Sequence, residues 1–195
     1  MFKIKKKSGW TWVTSAGISA SVKFVTAGKG SFTLKDPSGD PTKFNYVSAG
    51  AGVSVGGGAG LGGSTEDNFS TGEIYLLDKC SGPELTIEDI EGICFVTDIT
   101  VAALKGASAT GMLLGIPLKS LPWELVKRSY EPTTLIELIA DAAGFDKVAA
   151  SLRSSAKALL IMFGVNEGGQ ITAGISRSLG YVWTCLLYTS DAADE

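Results

Sequence analysis

Apolar and small polar residues alternate with period two in four separate stretches of this chain, the pattern of a strand whose two faces meet different surroundings. In residues 12–25, Trp12, Thr14, Ala16, Ile18, Ala20, Val22 and Phe24 share one face and mostly small polar residues the other. In residues 48–63, Ser48, Gly50, Gly52, Ser54, Gly56, Gly58, Gly60 and Gly62 oppose Ala49, Ala51, Val53, Val55, Gly57, Ala59 and Leu61. The same alternation returns in residues 102–116 and again in 170–183, where Gly174 and Gly180 lie on the small face opposite Ile175, Leu179, Tyr181 and Trp183. A strand face almost without side chains is costly in entropy and packs poorly by itself, so another backbone, a helix or a partner is expected to approach it closely.

Between these stretches the pattern places further elements. Residues 30–35 read as a short strand, and Asp36-Pro37-Ser38-Gly39-Asp40 as the turn that returns the chain through 43–46 into the glycine-rich strand. A polar loop covers 64–71 and a short strand 73–77. Thr86 caps a brief helical turn with Glu88 and Asp89 in it and Gly92 closing it, and 93–101 is a β-branched strand. Residues 117–132 form an irregular connection. Thr134-x-x-Glu137 is a capping box that opens a helix with Leu135, Ile136, Leu138 and Ile139 as its apolar stripe, and a second helical stretch runs from Asp146 to Ser155. The apolar run at 158–165 fits a buried strand or the end of a helix. The resulting fold class is α+β, predominantly β: a curved antiparallel sheet or barrel with Gly/Ser/Ala-rich strand faces, packed with one helical segment at about 134–155, which is placed to cover or plug it.

The last eleven residues, Cys185-Leu-Leu-Tyr-Thr-Ser-Asp-Ala-Ala-Asp-Glu195, resemble the translation of a transposase-type sequencing adaptor. The resemblance implies a read-through tail, with residues 1–184 as one β-rich domain and the native C-terminus missing. It also changes the charge: Asp191, Asp194 and Glu195 account for the whole of the formal net charge of −3, so the rest of the chain is close to neutral. Near-neutrality argues against a nucleic-acid partner. The Lys-rich start precedes Ser/Thr/Gly-rich alternating residues, so it reads as the lead-in to a strand rather than as a signal peptide, which favours the cytoplasm over secretion or the outer membrane. With the tail removed, Cys80 and Cys94 remain, and in that compartment they stay reduced.

Chemistry is sparse. No histidine occurs, which removes Ser-His-Asp and Cys-His catalysis and the commonest zinc ligand. Gly58-Ala-Gly60-Leu-Gly62-Gly63 has the letters of a dinucleotide fingerprint, but Ser64-Thr65-Glu66-Asp67 follows instead of a helix N-terminus, so no cofactor is expected. Glu84, Glu88, Asp89 and Glu91 read as a solvated acidic face, and Lys105 and Arg177 as outward charges on the sheet. No catalytic and no metal-binding residues are nominated. The candidate close-packing or binding-face residues are Gly50, Gly52, Ser54, Gly56, Gly58, Gly60, Gly174 and Gly180. The leading reading is a non-catalytic β-rich module that acts by binding a protein partner or by self-association. A membrane-inserting or outer-membrane β protein is the alternative, with Trp10, Trp12, Tyr181 and Trp183 as interfacial aromatics. A histidine-free enzyme using carboxylates is third.

Overall fold

The computed structural model of the chain describes residues 3–22, 25–55, 65–66, 69–101, 106–120, 150, 152–166 and 173–184. The distal half of the glycine-rich stretch (56–64), the helix expected from 134 to 149 and the tail 185–195 lie outside these.

Within the described residues, ten antiparallel strands form one curled sheet in the order β1-β6-β9-β8-β7-β10-β4-β3-β2-β5. They are β1 (Ile4–Lys7), β2 (Thr11–Val22), β3 (Val25–Lys35), β4 (Pro41–Val55), β5 (Thr65–Glu66), β6 (Phe69–Leu77), β7 (Gly92–Val101), β8 (Gly106–Ile116), β9 (Ala158–Asn166) and β10 (Ala173–Thr184). The architecture is thus predominantly β, as the alternation indicates. The apolar run at 158–165 is a strand, β9, and the stretch at 12–25 divides between two antiparallel strands, β2 ending at Val22 and β3 starting at Val25.

Curling places side chains from both flanks of the sheet in one concave core. Phe32, Leu34 and Phe44 from β3 and β4 pack there with Ile74 and Leu76 from β6, Met112 and Leu114 from β8, Leu160 and Met162 from β9, and Val182 from β10. Phe32 stacks on Phe44 at 5.3 Å and on Trp12 at 6.4 Å. A second cluster lies on the opposite face, where Leu152 and Ala156 cover Phe95, Leu113, Leu159 and Leu179. Residues 150 and 152–155 are helical. This part of the expected helix therefore covers the sheet on its convex, apolar side, where Leu152 is buried against Phe95 and Leu113.

The connections 36–40 and 78–91, with residues 117–120 and 156–157, gather at one end, the base, and secure it. Asp36 Oδ1 accepts from the Ser38 and Asp40 amides at 2.8 and 2.9 Å, with Gly39 at φ +98°, the turn its residues predict. Helix α1 (Ile87–Ile90) is capped at Thr86 and closed by Gly92 at φ +108°. Glu84 joins the base to the N-terminal segment: Oε1 accepts from Ser8 Oγ at 2.5 Å and from the Leu85 amide at 3.0 Å, and Oε2 from the Gly9 amide at 2.9 Å, with Lys6 Nζ 3.8 Å away. The indole of Trp10 donates to the Leu85 carbonyl at 2.9 Å beside it. At the far end of β10, Glu91 Oε1 accepts from both the amide and the hydroxyl of Thr184.

Partial burial pushes the Glu84 carboxyl up, but the hydrogen bonds from Ser8, Leu85 and Gly9 and the charge of Lys6 outweigh it and hold the group below its usual value. Its contribution to stability is therefore present above the unfolded-state value and is lost as pH falls through the lower folded-state value. Replacing Glu84 by Ala removes three accepted hydrogen bonds and is expected to cost about 1–3 kcal/mol at pH 7. Urea unfolding of parent and variant at neutral pH and below pH 4 should show the difference shrinking as the medium becomes acidic.

Candidate functional site

The candidate small residues of the two distant stretches lie side by side. β4 and β10 pair in a register that sets Ser54 opposite Gly174, Gly52 opposite Ser176, Gly50 opposite Ser178, and Ser48 opposite Gly180. A Cβ built on Gly50 would overlap the Arg177 carbonyl oxygen and the Cα of Ser178. One built on Gly180 would overlap the Val47 carbonyl oxygen and lie 3.0 Å from both Cys94 Sγ and Ser48 Cβ. The sheet turns so sharply between these two strands that neighbouring main chain fills the space a side chain would need. Gly52, Ser54 and Gly174 are fixed by backbone register alone, and Gly56, Gly58 and Gly60 lie outside the described residues.

The same concave face carries one carboxylate that the sequence reading did not single out. Asp98 on β7 lies opposite Thr110 on β8 and Ser176 on β10. Its Oδ1 accepts from Thr110 Oγ1 at 2.6 Å and its Oδ2 from Ser176 Oγ at 2.9 Å. Burial raises its carboxyl above the ordinary value even though the two hydroxyl hydrogen bonds pull the other way. Parity was the available signal: counted from the buried Cys94 and Val96, position 98 faces the concavity, where a carboxylate in a β-branched strand is out of place.

Cys94 also points inward, and burial pushes its thiol up to about 12, so it stays protonated and unreactive at neutral pH. Cys80 is likewise free and buried. The acidic group near α1 divides on inspection. Glu88 is exposed, whereas Glu84, Asp89 and Glu91 are half-buried and each holds specific partners, so a uniformly solvated acidic face is not what forms. Asp89 takes the Lys157 ammonium at 2.7 Å. Among the described residues no group of three or more Cys, Asp or Glu is placed to hold a metal ion.

One residue along from this polar ladder, the convex face is apolar. Ile175 lies opposite Ile99, Ile99 opposite Ala109, and Ala109 opposite Phe163, a row running across four adjacent strands. Ile175, Ile99 and Phe163 are 53%, 46% and 48% exposed. Nearby, Val47 lies opposite Tyr181, which stacks on Trp183 at 6.5 Å, and all three are exposed. No described helix is long and apolar enough to cross a membrane, which says nothing about strands.

Fold and site together define a curled antiparallel β protein with a small-residue polar concavity and a bare apolar outer row. In sequence the chain is similar to a Pseudomonas aeruginosa protein named Toxin protein Tse4, with 29% identity over 192 residues covering 89% of this chain and 93% of that one. No family model and no solved structure matches it.

Two tests follow from the geometry. Gly50→Ala and Gly180→Ala each force a Cβ into main chain that cannot swing aside, and each should lower stability by about 1–3 kcal/mol or more. Gly111→Ala, whose Cβ would meet nothing closer than the Thr97 carbonyl at 4.0 Å, should stay within about 0.5 kcal/mol of the parent or gain slightly. Thermal melts of the three variants check this. For Asp98, a raised folded-state value means that its favourable contribution is present at low pH and is lost as pH rises through that value. Asp98→Asn removes the buried charge and is expected to raise the melting temperature at pH 8 relative to the parent, with the advantage fading toward pH 3.

Proposed function

We propose that the chain is a toxin-like protein that acts through its sheet, by binding or assembly, and not by catalysis. Similarity to a protein named as a toxin, over nearly the whole of both chains, supports the toxin half of this reading. The observation that carries the other half is the division of the sheet. Inward it presents Ser176, Asp98 and Thr110 locked to one another; outward it presents Ile175, Ile99 and Phe163 to solvent. A hydroxyl-clamped carboxylate of raised basicity, a protonated thiol and a chain without histidine give little purchase for acid–base or nucleophilic chemistry. An uncovered apolar row is the kind of surface that another molecule covers.

A second reading, insertion of the sheet into a bilayer, is favoured by the same row. Apolar residues outward and small polar residues inward, on strands of nine to fifteen residues, are what a membrane-crossing sheet requires. The aromatic pair Tyr181–Trp183 lies beside that row, nearer the base, where an interfacial belt would fall.

Inducible expression in bacterial cells tests the toxin reading, with and without an export signal fused to the chain. Growth arrest in at least one compartment is expected, and relief of that arrest by Ile175→Ser together with Ile99→Ser. Unimpaired growth in both compartments, at matched protein levels, would sink it. Purified protein added to dye-loaded anionic vesicles separates the two modes. Rapid dye release favours insertion, whereas intact vesicles together with growth arrest favour a protein target.

A further inference from the structure

The sheet is one ladder short of a closed barrel, and the two strands that would form it already face each other in register. β5 pairs with β2 at its upper end, Glu66 opposite Ile18 and Thr65 opposite Ser19. Continuing that register down the two strands, one residue for one, brings Ser15 opposite Phe69 and Trp12 opposite Gly72. These are the contacts present across the gap. The Phe69 amide donates to Ser15 Oγ at 3.1 Å, and the Trp12 ring carbons Cε3 and Cδ2 lie 2.5 and 2.6 Å from the point a Cβ on Gly72 would occupy. Yet among the described residues no main-chain ladder joins β2 to β6. Below the gap the edges are joined again, with β1 on β6 through Lys7 opposite Tyr75 and the Ser8 amide donating to the Ile74 carbonyl at 2.9 Å. The seam is therefore zipped at its foot by β1 and at its head by β5, and stands apart between.

The indole of Trp12 lies over Gly72 on the concave side of the seam, stacked on Phe32, and its Nε1–H is buried without an acceptor. Each strand carries an irregularity there, β2 between Trp12 and Thr14 and β6 between Phe69 and Thr71. The strand directions also fit closure. β1 with β2 counts as one strand stepped at Gly9 and Trp10, so the circuit β2-β3-β4-β10-β7-β8-β9-β6 has eight members, antiparallel throughout, and β2 meets β6 antiparallel. Eight strands make a barrel whose interior side chains can just fill.

We propose that β2 and β6 complete this ladder in the register set by β5, so that the chain passes between this open-seamed form and a closed eight-stranded barrel. Closure pairs the edge amides and carbonyls of residues 11–17 and 69–74 and removes the last long free edges of the sheet. Trp12 and Gly72 then sit directly opposite one another as an inward pair, with the indole over the glycine.

Paired cysteines read the register. Thr14→Cys with Ser70→Cys places the thiols directly opposite in the proposed ladder, and Ala16→Cys with Ser70→Cys is displaced by two residues. Cys80 and Cys94 are buried and give little background, and Cys185 is replaced by Ser in both variants. Under mild oxidation the first pair should form an intramolecular disulfide at least about tenfold faster than the second. Hydrogen exchange reads closure: the seam-facing amides of 11–17 and 69–74 should exchange within about tenfold of the paired amides of β8 and β9. Equal cross-linking of the two pairs, or seam-facing amides that exchange as fast as those of an exposed strand edge, would overturn the proposal. So would disulfide-linked dimers in place of the internal bridge, since the seam would then belong to a second copy.

Discussion

The near-contact of main chain with main chain where β4 meets β10 governs this molecule. Gly50 and Gly180 let the two strands fold over one another, and only because of that turn do Phe32 and Phe44 reach the same interior as Ile74 and Leu160, which belong to the other flank. A flat sheet with the same residues would expose one whole face of large apolar side chains. The entropic penalty of glycine in a strand, roughly 0.5–1 kcal/mol per residue, is offset many times over by the core that the bend encloses.

The concavity is built in two storeys. Toward the base it is filled by aromatic and aliphatic side chains; above the level of Val96 and Ser178 it narrows to hydroxyls, glycine and Asp98. The upper storey gains little from hydrophobic burial, and its coherence rests on cross-strand hydrogen bonds such as those that Thr110 and Ser176 give to one carboxylate. The convex side mirrors this division, since Leu152 and Ala156 cover Phe95 and Leu113 low down while Ile99 and Ile175 higher up are bare. Both faces are thus most conventional at the base and least so above it.

Much of this is legible in the residues. The alternation in β4 and β10 marks the strands and identifies the small-residue face as the concave one, and Asp36 to Asp40 spells its turn. The alternation misleads in β2, where the irregularity after Trp12 changes parity: Trp12 and Ser15 both turn toward β3 and β6, while Thr14 and Ala16 face solvent. Period-two counting has no means of seeing an extra residue. Phe69 and Thr71, assigned to a polar loop, belong to β6 because their partners on β9 lie more than ninety residues along the chain. The roles of Glu84 and Glu91 depend on groups equally remote, Ser8 in one case and Thr184 in the other, so local composition could describe them only as acidic.

The place of β10 has a consequence for how the protein comes into being. It is the last of these strands to be synthesised, yet it lies in the middle of the sheet, between β4 and β7. Until it emerges, β2-β3-β4 and β7-β8-β9-β6 are joined only through β1 on β6 and β5 on β2, and β4 and β7 are left as raw edges with the core open between them. Pairing residues 44–55 with 173–184 demands closure of a very long loop, which makes this the slow step of assembly and leaves both edges open to wrong partners in the meantime. The nascent chain therefore has no bend between β4 and β10 and no closed concavity until residues 173–184 have been made.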